Sequence, residues 1–305
     1  MTQESQVGGV VVTFHPDAGF EMRLAAMLDE VRPVIVIDNT ATPATRDRLR
    51  AACTRLGAEL LENQDNAGLG AALNRAFRVL DERGFTAVIA FDQDSTPESG
   101  LAAALVSLMS ADPRRAIVGS NWHDEARPRV RSRHLRPHAV LPGCFTRQAA
   151  SHDLYDITCV ITSGSLFHLD AWRELGGFDE PLFVDLVDTE YCLRARTAGH
   201  AIAVAAHARL THRRGAKAPV RRFGFTWWPA FGSPLRLRYL FRNRMLVLGR
   251  LGWRMPHWIA FELVYAAKVV TEIVLLEENK VAKLAACAQG TWDGLMGVEG
   301  RIASP

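Results

Sequence analysis

Short apolar runs alternate with longer stretches of helical spacing over the first 120 residues. Residues 10–14 and 34–37 are β-branched apolar runs too short for helices, and 58–62 reads as a third strand. Leu69, Leu73, Ala76, Phe77 and Leu80 recur at helical spacing over 69–83, before 87–91 returns as a strand. Pro97 opens a further helix over 98–109, and 116–119 reads as another strand. This order predicts an α/β fold: βαβ units building a Rossmann-like, mostly parallel sheet flanked by helices.

From 121 to 156 the apolar periodicity lapses into Arg, His, Pro and Gly, which predicts a long functional loop. Order returns with a strand over 158–169, a short helix over 171–175 and the turn Gly176-Gly177-Phe178-Asp179. An acidic stretch ending in Asp188-Thr189-Glu190 leads into a helix to Ala198, followed by a strand over 201–205. Beyond about Arg222 the composition shifts to Trp, Arg and Leu at helical spacing, so a boundary is expected between residues 1–222 and a helical region 223–305. Residues 258–276 come nearest to a membrane span, but Glu262, Lys268 and Glu272 interrupt them. These charges fall within about a third of the helix circumference, which predicts an amphipathic helix packed on the body or lying at a membrane surface.

The chain is long enough, at 305 residues, to bury a substantial core, and 48% hydrophobic with 23% charged residues is ordinary for a soluble globular protein. A net charge of +3 is too small to imply nucleic acid. The basic residues cluster instead. Arg127, Arg129, Arg131, Arg133 and Arg136 read as a solvated loop, whereas Arg213, Arg214, Lys217, Arg221 and Arg222 stand where a diphosphate or an anionic membrane could be met. The five cysteines contain no CxxC pair, which speaks against a disulfide framework or zinc site and fits a reducing cytoplasm. Residues 1–7 are short and polar, so no secretory leader is expected. The expected location is cytoplasmic, with contact at the inner face of the plasma membrane as the sharper alternative.

Asp92-Gln93-Asp94-Ser95 directly follows the apolar run 87–91. Such a strand delivers carboxylates to the carboxyl edge of the sheet, where α/β proteins bind ligands. Carboxylate oxygens suit Mg²⁺ or Mn²⁺, with substrate phosphates completing the shell; an Asp-x-Asp pair also occurs as a solvated turn. Asp38-Asn39-Thr40 follows the second strand and would project at the same edge, within reach of a nucleoside, though it is also a good turn and cap sequence. Asn66-Ala67-Gly68-Leu69-Gly70 precedes a helix, where exposed N–H groups can meet a phosphate or base. It lacks the Gly-Lys-Ser/Thr ending of a P-loop, and a plain helix entry reads equally well. Asp185, Asp188 and Glu190 gather at a helix start, either as dipole partners or as the setting of a positioned base.

Taken in order over roughly residues 8–250, these pieces resemble glycosyltransferase family 2, and within it the bacterial rhamnosyltransferases. Val11-Val12-Thr13-Phe14 is similar to the family's opening strand, Val36-Ile37-Asp38-Asn39 to its nucleoside-contacting segment, and the Asn66 turn with Asn74 to its helix entry. Asp92-Gln93-Asp94-Ser95 resembles the rhamnosyltransferase form of the metal motif. Thr162-Ser163-Gly164-Ser165 and Gly176-Gly177-Phe178-Asp179-Glu180 are similar to the acceptor-side strand and turn, and Asp188-Thr189-Glu190-Tyr191-Cys192-Leu193-Arg194 to the segment holding the base. The general motif has an acidic pair where this chain has Val187-Asp188, so the base is carried onto Asp188, with Glu190 and Asp185 as lesser candidates. His212, in Leu210-Thr211-His212-Arg213-Arg214-Gly215, resembles the family's occasional metal-ligating histidine; a lone His is also often structural.

The resemblance implies a GT-A type fold with a nucleotide-sugar half over about 1–120, an acceptor half over 121–222, and a C-terminal helical extension for acceptor, membrane or dimer contact. It implies inverting, metal-dependent transfer of L-rhamnose from dTDP-rhamnose to a hydroxyl of a cell-surface glycan, lipid-linked in this reading. Asp188 would be the base, and Asp94, Asp92 and His212 would hold Mg²⁺ or Mn²⁺. Thr13, Asp38, Asn66, Gly68, Asn74 and Asp92 would meet the donor, and Ser163 and Gly164 the acceptor; apart from the resemblance, the indoles of Trp227 and Trp228 read as a stacking surface for an acceptor sugar or as helix packing. Another donor such as a UDP-hexose or UDP-galactofuranose stays open, as do a homo-oligomer and a non-catalytic nucleotide-sugar-binding scaffold. A nucleotidyltransferase would need a glycine- and lysine-rich triphosphate loop, which the sequence lacks.

Overall fold

Alternate residues of the central strands serve two different cores. The parallel strands β1 (Val7–Thr13), β2 (Val34–Asp38), β3 (Glu59–Glu62) and β4 (Ala87–Asp92) are linked by α1 (Phe20–Glu30), α2 (Pro43–Leu56) and α3 (Leu69–Glu82). Val10, Ile35, Ile37, Val88 and Ala90 face α3, whereas Val11, Val34, Val36, Ile89 and Phe91 face α1 and α2. Both faces are apolar because helices cover both, the usual condition of parallel strands. Local chemistry sets the helix ends. Pro43 opens α2 with its preset φ, and Gly57 closes it at φ 74°, a left-handed position that favours glycine.

The chain continues through β5 (Ser95–Pro97), α4 (Leu101–Ser110), β6 (Arg115–Asp124), β7 (Arg127–Arg131), β8 (Arg133–Pro137), β9 (Phe145–Ala149), β10 (Ser165–His168), α5 (Leu169–Glu174), α6 (Val187–Thr197) and β11 (Ala201–His212). The hairpin β12 (Val220–Arg222) and β13 (Phe225–Trp227) precedes α7 (Pro234–Leu251), α8 (Pro256–Leu276) and α9 (Lys280–Leu295). The main sheet has the order β3-β2-β1-β4-β10-β6-β11-β5, with β7 on β6. It is mixed: β10 runs antiparallel to β4 and β6, β6 and β11 are parallel, and β5 is antiparallel to β11. The computed structural model describes residues 6–40, 42–125, 127–131, 133–137, 145–213, 220–222, 224–227 and 232–303.

Three expectations need correction. The supposed loop 121–156 contains the end of β6 and the strands β7, β8 and β9. Arg127, Arg129 and Arg131 alternate with period two, but in polar residues, so a search for apolar periodicity passes over them. The strand expected over 158–169 shortens to β10, while the one over 201–205 lengthens to His212. Residue 222 ends the first strand of a hairpin, and the helices beyond contribute Leu246, Val247, Leu251 and Trp258 to the cluster that holds Tyr191. Leu237, Phe241, Val269, Ile273, Ala286 and Cys287 form a smaller core among α7, α8 and α9. Gly290 and Gly294 let α9 lie against α7, since a Cβ at either would run into the carbonyl of Arg238 or Arg242.

Candidate functional site

The geometry starts from strand register. β4 ends at Asp92, the chain turns, and β5 pairs with β11 so that Ser95 lies opposite His212. This brings His212 Nδ1 to 3.5 Å from Asp94 Oδ1, and one ligand atom each of Asp92, Asp94 and His212 lie within 4.8 Å of one another. Asp92 N–H donates to Ser163 Oγ at 2.9 Å, Ser163 Oγ–H donates to Ser95 Oγ at 2.7 Å, and Ser95 Oγ lies 2.7 Å from His212 Nδ1. Ser95 thus meets the same imidazole nitrogen that faces Asp94 and fixes the ring at the edge of the cluster. Two carboxylates and an imidazole are a donor set for Mn²⁺ or Mg²⁺. The electrostatics fit such an ion. Burial first, then the negative charges of Asp94 and Asp188, push the Asp92 carboxyl up to about 7, against the pull of Arg236; a divalent cation would relieve that repulsion.

Asp188 stands in the first turn of α6. Its Oδ1 accepts the Thr189 N–H at 2.7 Å. Burial raises its pKa, and the charge of Asp185 adds to the rise, while the backbone N–H groups of Thr189 and Thr162 oppose it. Among the described residues no cation pairs with Asp188. Its two acidic neighbours are differently placed. Both oxygens of Asp185 are taken by Arg236, at 2.9 and 3.2 Å on Oδ1 and 3.1 Å on Oδ2, and both oxygens of the buried Glu190 by Arg194, at 2.7 and 2.8 Å. A carboxylate so engaged would have to break its ion pair to accept a proton, a cost that Asp188 does not carry among the described residues.

At the nucleotide end, Asp38 is fully buried. Its Oδ1 accepts the Thr40 N–H at 2.8 Å and lies 3.3 Å from Thr13 Oγ1, but its Oδ2 has no hydrogen-bond partner, and Arg46 Nε stays 3.7 Å away. A buried carboxylate oxygen without a donor is costly, and it suits the N–H of a base or the O–H of a ribose.

Gly68 is tied to this end through Asn39, and Asn66, Gly68 and Asn74 all have hydrogen-bond partners within the protein. Gly68 N–H donates to Asn66 Oδ1 at 2.9 Å, and its carbonyl accepts from Asn39 at 3.1 Å. At φ 86°, a Cβ on Gly68 would lie 2.7 Å from the Phe183 carbonyl oxygen. Asn74 accepts from Phe178 N–H and Trp172 Nε1 at 2.8 and 3.1 Å, and donates to Phe178 O and Glu180 Oε1 at 2.9 Å each. All four of its hydrogen-bonding positions are used, and they brace α3 against the 178–180 turn.

On the acceptor side, Ser163 and Gly164 both lie inside the protein. Ser163 is fully buried in the chain of hydrogen bonds behind Asp92, and Gly164, at φ 70°, would put a Cβ 2.6 Å from Ser120 Oγ. Both hold the sheet edge in shape. Trp227 is exposed on β13, and Trp228 lies outside the described residues.

Other contributors carry weaker sequence signals. Gln93 sews β1 to β4: its Oε1 accepts the Phe14 N–H at 2.8 Å and its Nε2 donates to Phe14 O at 3.0 Å. Asn243 Nδ2 donates to the carbonyls of Leu182, Val184 and Asp185 at 2.9, 2.6 and 2.9 Å, and Arg242 Nη2 to Leu182 O at 3.0 Å. They hold a turn with three non-glycine residues at positive φ, Phe183 at 64°, Asp185 at 58° and Leu186 at 61°, just before Asp188. The only trace in the sequence is the polar run Arg242-Asn243-Arg244 inside an otherwise apolar helix face.

A profile of the family described as Glycosyl transferase family 2 matches residues 23–176. A Shigella flexneri protein named dTDP-rhamnosyl transferase RfbF is 26% identical over 310 residues, covering 97% of this chain and 97% of its own. Among solved structures, the mannosyltransferase PcManGT from Pyrobaculum calidifontis, in complex with GDP-Man and Mn²⁺, is similar with a TM-score of 0.55 and 16% identity over 97% of this chain and 88% of that one. GalNAc-T7 with UDP, GalNAc and Mn²⁺ gives a TM-score of 0.58 and 12% identity over 80% of this chain, which spans 47% of that protein. TarS residues 1–349 from S. aureus, in complex with UDP-GlcNAc, gives 0.51 and 12% over 96% of this chain and 73% of that one. At these identities the structures carry the fold alone.

Proposed function

The chain belongs to glycosyltransferase family 2, with a GT-A type mixed sheet and C-terminal helices, and from that premise we propose that it is an inverting rhamnosyltransferase. It moves L-rhamnose from dTDP-rhamnose to a hydroxyl of a lipid-linked cell-surface glycan. The observation that carries transfer chemistry is the unpaired Asp188 beside the Asp92, Asp94 and His212 cluster. The name of the Shigella flexneri relative, alike over 97% of both chains, supports rhamnose as the sugar. Residues 1–120 take the nucleotide sugar, 121–222 the acceptor, and 223–305 brace the site from outside.

Each residue has one task. Asp38 and Thr13 receive the nucleoside at the end of β1 and β2. Asp94, Asp92 and His212 would hold a divalent cation, which when bound supplies positive charge to the diphosphate leaving group, so that no protein acid is needed there. Asp188 takes the proton of the acceptor hydroxyl on the face opposite the leaving group, and a single displacement then inverts the anomeric centre. Gln93, Ser95 and Ser163 keep the cluster in register, and Asn243 keeps the turn that carries Asp188.

Calorimetric titration of dTDP, UDP and GDP, each with and without Mn²⁺ or Mg²⁺, tests this reading. Metal-dependent preference for dTDP is the expected result. Tighter UDP or GDP binding would overturn the donor, and a folded protein that binds none of the three would overturn the enzyme.

A further inference from the structure

The turn that leads to Asp188 brings a cation to the carboxylate edge. Arg236, in the first turn of α7, donates from Nε to Asp185 Oδ1 and Oδ2 at 3.2 and 3.1 Å, and from Nη2 to Oδ1 at 2.9 Å. Asp185 is itself fixed in place. Its side chain is 16% exposed, its carbonyl accepts from Asn243 Nδ2 at 2.9 Å, and its backbone sits at φ 58°. Arg236 is held by that anchor without being enclosed by it: its side chain is 65% exposed, and among the described residues its Nη1 donates to nothing. The pair uses the Nε and Nη2 side of a planar fork and leaves the Nη1 side unused.

The guanidinium lies within the field of the cluster. Burial and the charges of Asp94 and Asp188 raise the Asp92 carboxyl, and the Arg236 charge opposes them; Asp185 first, then Asp92 and Asp94, hold Arg236 in its charged form. The sheet order places this cation along the edge. Neighbouring strands run β2-β1-β4-β10, so Asp38, Thr13 and Asp92 follow one another at their ends, and Asp188, which the Thr162 N–H meets just before β10, comes next. Arg236 reaches the edge through Asp185, three residues before Asp188, and thus stands at the end opposite the nucleoside. A second arginine at this edge, Arg213, donates its N–H to Asp94 O at 3.0 Å, but its guanidinium is shared between Asp17 and Glu125, each at 3.6 Å.

Charge counting says what such a cation can do. Asp92 and Asp94, when ionised, together match the charge of a divalent ion, so an ion held by them leaves little net positive charge for a diphosphate. The leaving group gains further negative charge as its bond to the sugar breaks, and the open side of a guanidinium suits phosphate oxygens. We propose that Arg236 contacts the donor diphosphate at the phosphate that carries the sugar, and that Asp185 positions it there. With the nucleoside at β1 and β2 and the acceptor hydroxyl at Asp188, the sugar-bearing phosphate is the one nearest to Arg236. The inference rests on the proposed reading of the site and deepens it: the helical region 223–305 supplies a substrate contact as well as a brace.

Calorimetry of dTDP and dTMP in the presence of Mn²⁺, on the full chain and its Arg236→Gln, Arg236→Lys and Asp185→Asn variants, is the test. Arg236→Gln should weaken dTDP binding by roughly tenfold or more and dTMP binding by less than about twofold, closing the gap between the two nucleotides. Arg236→Lys keeps the charge without the fork and should restore part of the gap, and Asp185→Asn should retain most of it because the cation remains. Equal losses of dTDP and dTMP in Arg236→Gln would mean that the residue only holds the turn. Unchanged dTDP binding would mean that its pair with Asp185 is its whole task, and either result overturns the proposal. If the wild type prefers UDP or GDP, the same gap is read with that diphosphate and its monophosphate, so failure of the dTDP reading is told apart from failure of this one. A folded wild type that binds no nucleotide overturns both.

Discussion

The carboxyl edge of the sheet and the three C-terminal helices treat their carboxylates in opposite ways. At the edge, burial and the charges of Asp94 and Asp188 raise the pKa of Asp92, and burial raises that of Asp188, with no arginine paired to Asp188 among the described residues. In the helices each inward acid has a cation: Glu262 has Arg244, Glu277 has Lys283 and Asp293 has Arg238. Burying like charges side by side works against folding, whereas a buried pair is at least locally neutral. The unneutralised edge makes sense as a place that meets positive charge and a reactive hydroxyl during its work, and the neutralised helices as scaffolding.

The contrast breaks most visibly at Asp94. Asp94→Asn should lower turnover by roughly 10³-fold or more and remove metal-dependent donor binding, yet leave the melting temperature no lower, because it takes away repulsion. Steady-state kinetics, calorimetry and thermal unfolding together read this out, and a variant that melts well below the wild type would contradict it. Asp188→Asn should lower kcat by about 10²–10⁴-fold with donor affinity kept, and near-normal activity would move the base elsewhere.

The scaffold side should fail in the opposite sense. Glu262→Gln leaves Arg244 buried without its partner, next to Phe241 and Tyr265 at 4.6 and 5.6 Å, with Nη1 and Nη2 already lacking hydrogen bonds. Denaturant unfolding should register about 3–5 kcal/mol of lost stability, with turnover per folded molecule unchanged. Glu272→Gln removes only the i,i+4 pair with Lys268, whose side chain is 53% exposed, and should cost no more than about 0.5 kcal/mol. A larger loss there would mean that the exposed face of α8 is structurally coupled to the core.

Much of the first half of the molecule was legible in the sequence. The runs at 10–14, 34–37 and 87–91 are strands, and Leu69 to Leu80 spaces a helix, because these patterns reflect which side of an element meets a core. Asp92, Asp94 and His212 could be named as a set through a family resemblance, but their convergence depends on Ser95 pairing with His212 across 117 residues. Asn66, Gly68, Asn74, Ser163 and Gly164 were recognisable as special without their tasks being visible. Asn66 bonds Gly68 two residues on, but the others meet Phe183, Phe178, Ser95 and Ser120, none of them neighbours in the sequence. The strand 127–131 was hidden for a different reason: its alternation is written in arginines, not apolar residues.

By itself, then, the sequence determined the kinds of element, the order of the motifs and the supply of carboxylates at the strand ends, since each depends on residues close together in the chain. Which carboxylate stays unpaired was decided only in three dimensions. Asp185 loses its freedom to Arg236, 51 residues away, whereas Glu190 is claimed by Arg194 one helical turn on. Availability for chemistry is a property of what the fold leaves uncovered, and a local pattern such as Glu190 with Arg194 encodes only part of it.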